Sequence, residues 1–223
     1  MEHIVKKLQN DVAGFLTSTS LRINGITIIP KEVEVYYYKE GVFSDNSVHR
    51  NELQRNNPNH FYIHRWGHSR LDSYKGGNYP GIDFVLSDNA EEYYSYLIRS
   101  AVINNETIVG PHKVLEAIES VSNLKKEEIE QSSVEMLLHE SDKVIFFSKR
   151  INLGKEVLKE YRDCELRAVV CDDYFHSCKY PAKEMMVVEF IKRNVEHKEM
   201  TNKQASVFAK EILGYVPSEI RKI

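Results

Sequence analysis

Apolar residues recur along this chain first at helical spacing and then at strand spacing. Ile4, Leu8, Val12, Phe15 and Leu16 fall three or four apart, which predicts an amphipathic opening helix. Leu21-Arg22-Ile23 and Ile26-Thr27-Ile28-Ile29 flank Asn24-Gly25, a pair suited to a type I′ turn, and predict a β-hairpin. Lys31 to Tyr38, His60 to Trp66, Gly81 to Ser87 and Tyr94 to Val102 read as further strands. Pro111 opens a helix carrying Val114, Leu115, Ile118 and Val121, and a second, acidic helix is expected over Lys125–His139. Lys143–Ser148 and Leu166–Cys171 are short apolar strands, and Pro181 can start another helix. Thr201 with Gln204 forms a capping box for the last helix, which Gly214 stops. The strands cluster, and helices do not alternate regularly with them. The pattern therefore predicts an α+β fold on a mainly antiparallel sheet rather than a doubly wound one. No internal repeat breaks the chain, which reads as one domain followed by C-terminal helices.

Composition bounds the class. The 223 residues, 42% of them hydrophobic, can bury about 70% of the unfolded surface in a core. No apolar run approaches the roughly 18 residues of a membrane span, and Met1 to Lys7 lacks the basic-then-apolar order of a secretory signal. Three cysteines make no disulfide framework, so the expected setting is a reducing cytoplasm. A net charge of −3 argues against a globally basic nucleic-acid binder, but the charge is uneven. From Val48 to Lys75, Arg50, Arg55, Arg65, Arg70 and Lys75 stand against Glu52 and Asp72, a surplus of three positive charges, with His49, His60, His64 and His68 among them. From Pro111 to Asp142, three lysines face eight acids. Nine of the 13 tyrosines and the single Trp66 lie between Tyr36 and Tyr96. Composition alone also fits two solvated faces flanking a half-buried sheet.

Strand alternation places Glu32, Glu34, Tyr36 and Tyr38 on one face and Val33, Val35 and Tyr37 on the other. Carboxylates beside aromatic rings can position water next to a flat ligand, and partial desolvation makes such a carboxylate a better base. The same alternation also suits an outward sheet face. His60, His64 and His68 could suggest zinc, but on a strand ligands four apart are separated by about 13 Å, and no metal is expected. Cys164, Cys171 and Cys178, with His176 between the last two, lack a CxxC pair and read as free thiols. Met185, Met186, Val188 and Phe190 suit core or a partner face. No dinucleotide, P-loop or hydrolase-elbow motif occurs.

Glu32-Val33-Glu34-Val35-Tyr36, His49, His60 to Gly67, Gly81-Ile82-Asp83, Tyr96 to Ala101, Gly110 to Leu115, Ser148 to Leu153 and Leu166 to Val170 stand in one order along the chain. In that order they resemble the alkyladenine (3-methyladenine) DNA glycosylases, over roughly residues 4–172. The resemblance implies a curved sheet in a domain over residues 1–173; residues 174–223 fall outside it and read, from their own pattern, as a helical extension packed on that domain. It implies a monofunctional DNA N-glycosylase of base excision repair, without a cofactor. Such an enzyme flips an alkylated or deaminated purine into an aromatic pocket, since the glycosidic bond cannot be reached within the stack.

Position by position, Glu34 matches the glutamate that activates water for attack at the sugar C1′. Arg99 matches the arginine beside that water and the target's phosphate. Tyr36 and His49 correspond to rings that sandwich the purine, and Trp66 stands where the family inserts a tyrosine into the duplex. Ile63 stands where a second stacking tyrosine is expected, beside Tyr62, so a thinner pocket and a register one residue off are both open. Asp83 stands at a pocket asparagine. Arg65, Arg70, Lys75 and Arg150 are the cations expected against phosphate. Ser69 to Pro80 lengthens the inserting hairpin, and His49 lies 15 residues after Glu34, a wider gap than the family's. The implied partner is double-stranded DNA with a damaged purine, bound near the nucleoid by a monomer that touches no membrane. Its affinity is expected to be local and lost as salt rises. A non-catalytic nucleic-acid or nucleotide binder on the same fold, and a protein-interaction module using the acidic 111–142 region, are the alternatives.

Overall fold

The computed structural model of the chain describes residues 1–139, 143–171 and 183–223. Helix α1 (Glu2–Ser18) buries Leu8, Val12, Phe15 and Leu16, the stripe its periodicity marks. Strand β1 (Thr19–Ile23) turns through Asn24 and Gly25, both at positive φ, into β2 (Ile26–Lys39), with Leu21 opposite Ile28 and Ile23 opposite Ile26. The Asn-Gly turn forms because both central residues of a type I′ turn need the left-handed region.

β2 is the spine of a curved, wholly antiparallel sheet. One edge pairs with β6 (Glu92–Ile103) from Ile28 to Lys39. The other takes in succession β1, then β10 (Arg167–Cys171) opposite Glu32–Glu34, then the short β3 (Phe43–Ser44). The ladder slips between Pro30 and Val33, where Pro30 has no N–H to give. Such a bulge bends its strand and strengthens the twist, and here it lies beside Glu32 and Glu34. Beyond β6 the sheet continues through β5 (Ile82–Val85) to β4 (Phe61–Ile63), while β7 (Glu106–Val109) folds back on β6. β8 (Glu135–Leu138) extends the β1 edge, and β9 (Val144–Ser148) pairs with β10. The chain is therefore mixed α+β, as the clustering of strands predicts.

Helix α2 (Pro111–Ser122) starts at its proline, with Val114, Leu115 and Ile118 buried. The acidic helix expected over Lys125–His139 is shorter: α3 spans Lys126–Gln131 only, and the chain then enters β8. Ser132 and Ser133 break the turn, and Met136 and Leu138 face outward along a sheet edge instead of completing a helical stripe. Helix α4 is one turn, Lys159–Arg162.

The main core lies between α1, α2 and the concave sheet, and it includes Val33, Val35, Ile98, Ala168 and Val170. A second core forms on the opposite face of β9 and β10. There Phe146 and Val169 meet Met186, Val187 and Ile191 of α5 (Lys183–Glu196) and Ala205, Ala209 and Ile212 of α6 (Asn202–Leu213). Met186 and Val188 are thus core, while Met185 is exposed. The helix start read at Pro181, together with His176 and Cys178, lies outside the described residues. Cys164 and Cys171 are free thiols.

α6 begins with the capping box of Thr201 and Gln204 and ends at Gly214 in the left-handed region. Thr201→Ala removes the side-chain acceptor for the Gln204 N–H and should lower stability by about 1 kcal/mol in urea unfolding. No change in midpoint would show that this helix end contributes nothing. Among the described residues no helix is long and apolar enough to cross a membrane.

Candidate active site

Over the middle of β2 and β6 and beside β5 the structure opens a cleft of about 800 Å³. Its floor carries Glu34 and Tyr36 from β2 and Leu97 and Arg99 from β6, pairs two apart that alternation points to one side. Val48, His49 and Gln54 form one wall, and residues 151–154 form another. The hairpin from His64 to Tyr79 makes the rim.

The floor is a buried charge network. Glu34, 0% exposed, accepts the Ile151 N–H at Oε1 (3.0 Å), and its Oε2 accepts the Tyr36 hydroxyl (3.1 Å) and faces Arg99 Nη1 (3.3 Å). Arg99 also reaches Glu32 through Nε at 3.2 Å, and Arg167 Nε reaches the same Glu32 oxygen at 2.7 Å. Burial raises the Glu32 carboxyl against the opposing pull of these two arginines. The strand face marked by Glu32 and Glu34 is therefore not a solvated one: Arg99 of β6 and Arg167 of β10 cover its carboxylates. The outward-face alternative fails because each carboxylate has cationic partners from distant strands.

The walls differ in part from the sequence expectation. Ile63 belongs to the main core, as does Phe61, so it does not line the cleft. Alternation turns the intervening Tyr62 to the site side, where its hydroxyl accepts the Arg65 N–H (3.2 Å) and contacts His49 Nδ1 (3.1 Å). Tyr62 itself is fully buried against Leu53 and Val85 and does not line the cleft, so neither residue supplies a stacking ring there. Arg150 is no phosphate contact: its side chain is 0% exposed, pairs with the equally buried Asp45 at 2.7 Å and lies 4.9 Å from the Tyr36 ring centre. Arg150 thus backs one face of Tyr36. Arg65 is likewise committed inward, to Glu130 of α3, with its guanidinium 3.9 Å over Tyr74.

Asp83 lies in the cleft wall, but its Oδ1 takes His64 Nε2 (2.8 Å) and its Oδ2 takes Gln54 Nε2 (3.1 Å) and the Ser95 hydroxyl (2.9 Å). Burial alone would raise its carboxyl, but His64, His49 and Ser95 outweigh burial and hold it below the usual range. Asp83 therefore orients His64 and Gln54 rather than meeting a ligand itself. Gly81 allows this arrangement, since a Cβ there would stand 2.7 Å from Leu97 and 3.1 Å from the His64 ring.

His49 packs edge-on against His64 at 4.6 Å and places Nε2 2.9 Å from Lys75 Nζ. Burial, then the neighbouring His64 and Lys75, push its pKa from the ordinary 6.5 down to about 3. The unfolded chain takes up this proton as pH falls below 6.5, whereas the folded chain does not. The contribution of His49 to stability is thus complete above pH 6.5 and lost as pH falls toward 3. In NMR its ring protons should show no titration between pH 5 and 8; a midpoint near 6.5 would contradict this environment.

The rim is exposed and aromatic. Trp66, 65% exposed, lies 6.2 Å from Tyr79 and 5.5 Å from Lys75 Nζ. The hairpin is closed at its root by the Arg65–Tyr74 bridge and by Trp66 N–H to Ser73 O (3.1 Å). Arg70 projects from its tip, outside the cleft wall. No protein-family model matches the chain, and a comparison with curated proteins finds no match.

Glu34, Tyr36, His49, Arg65, Trp66, Lys75, Asp83 and Arg99 therefore meet at one cleft, while Ile63, Arg70 and Arg150 do not line it. Sequence reasoning missed His64 as a wall residue. The signal was present, because His64 follows Ile63 along the strand and so falls on the side opposite the core-facing Phe61 and Ile63. Gln54, Asp45 and Glu130 carried no local signal. His60 and His68 turn to the backbone oxygens of Pro58 and His49, and among the described residues no group of three His, Cys, Asp or Glu side chains is arranged for a metal.

Proposed function

We propose that the cleft removes a damaged purine from double-stranded DNA by hydrolysing its N-glycosidic bond, in the manner of the alkyladenine glycosylases that the sequence resembles. The observation that carries this reading is Glu34, held at both oxygens on the floor of a cleft walled by Tyr36 and His49. A carboxylate has about four acceptor sites, and three are occupied here, which leaves one for a water. That water attacks C1′ as the purine departs, Glu34 takes its proton, and the carboxylate with Arg99 balances the charge of the developing oxocarbenium and the nearby phosphate. Tyr36, backed by Arg150, offers one ring face to the flipped base, which offsets lost stacking. Trp66, beside Tyr79 at the rim, suits insertion into the gap left behind. Arg70 on the hairpin remains for phosphate, so affinity should fall with salt.

The test is release of a methylated or deaminated purine from duplex DNA by the purified chain. Absence of release across both substrate classes overturns the reading. The complete burial of Glu34 favours a second reading, a binder of nucleic acid or nucleotide that does no chemistry. DNA binding without base release, unchanged by Glu34→Gln, would select it.

A further inference from the structure

The rim of the cleft holds an amine in an unusual setting. Lys75 Nζ meets His49 Nε2 at 2.9 Å, and among the described residues no carboxylate pairs with it. The hydrogen-bond pattern assigns the protons. Tyr62, fully buried, accepts the Arg65 N–H, and among the described residues the only acceptor for its own hydroxyl proton is His49 Nδ1 at 3.1 Å. A buried hydroxyl keeps such a bond. His49 Nδ1 is then an acceptor, and a neutral imidazole carries its single proton on Nε2. In that tautomer Nε2–H points at Lys75 Nζ, a contact that calls for a free lone pair on an uncharged amine. Burial independently pulls the Lys75 pKa down, although Asp83 opposes it. The Trp66 ring, 5.5 Å away, screens one side of Nζ from water.

We propose that Lys75 is a nucleophile that forms an imine with the aldehyde of an abasic deoxyribose in this cleft, giving the chain a second activity, strand scission at abasic sites. The choice of substrate rests on the glycosylase reading, whose hydrolysis leaves this sugar in the cleft. In the ring-opened sugar the Nζ lone pair bonds to C1′, and the carbonyl oxygen leaves as water with the two amine protons. After the imine nitrogen takes one proton from solvent, the C2′ proton passes to water. Its electron pair forms the new carbon–carbon double bond as the C3′–O bond breaks and the phosphate departs. Water then hydrolyses the imine, returning Lys75 and an unsaturated aldehyde.

The experiment uses duplex DNA in which a single deoxyuridine has been converted beforehand to an abasic site, so no base release by this chain is needed. With borohydride present, the full chain should become covalently attached, and peptide mass spectrometry should place the attachment at Lys75. Lys75→Met should lose the adduct while retaining the wild-type unfolding curve. Absence of an adduct, an adduct mapped to another amine, or one that persists in Lys75→Met overturns the proposal. Base release from a methylated-purine duplex is read separately. An adduct without base release leaves this inference standing and removes the hydrolysis reading; base release without an adduct does the reverse.

Discussion

Glu34→Gln is expected to slow base release from a methylated-purine duplex by about 10²–10⁴-fold, the usual contribution of a positioned general base. The change is nearly isosteric. The amide oxygen can still accept the Ile151 N–H, and Arg99 keeps Glu32 at 3.2 Å, so the floor should retain its shape. What is lost is the proton acceptor and the negative charge opposite the developing cation. Single-turnover kinetics isolate that step, with thermal unfolding as the control for folding. A variant that unfolds normally and releases base at the wild-type rate would remove Glu34 from the chemistry.

The second large effect is on stability. Arg150→Met should lower the unfolding free energy by about 3–5 kcal/mol, because it leaves the Asp45 carboxylate buried without its cation. Arg150 also donates to the Val35 carbonyl, the Tyr161 carbonyl and the Ser47 hydroxyl, so it ties β2 to three other segments. Replacing both partners, Arg150→Met with Asp45→Leu, should recover part of the loss, since no orphaned charge remains. Urea unfolding of the two variants and the wild type gives the comparison. A loss below about 1 kcal/mol in the single variant would mean that water reaches Asp45 freely.

What the sequence made legible, and what it did not, divides by range. α1, the Asn24-Gly25 hairpin, the Pro111 helix start and the Thr201 cap are each dictated within a few residues, by periodicity, positive φ or a capping acceptor, and each stands where those signals put it. β8 was hidden because Ile129, Leu137 and Leu138 extend a helical spacing past Ser132, and an exposed edge strand adds no apolar alternation of its own. The inward commitment of Arg65 and Arg150 was illegible, since their partners Glu130 and Asp45 lie 65 and 105 positions away. A cation beside a tyrosine-rich strand reads the same from sequence whether it faces phosphate or a buried carboxylate. The alternation that put Glu32 and Glu34 on one face was readable. That its carboxylates are covered depends on Arg99 and Arg167, which β6 and β10 bring alongside from far along the chain.

Glu130 has a consequence of another kind. Its Oε1 accepts the Ile63 N–H, and its Oε2 holds Arg65 and the Tyr74 hydroxyl, so one carboxylate of the acidic helix grips both ends of the hairpin root. Everything between Arg65 and Tyr74 hangs from that grip and carries little of the core. Length and composition at the tip can therefore drift over evolutionary time while Glu34 and Arg99 stay in place. The part of the molecule that first meets a duplex is free to vary separately from the part proposed to act on it.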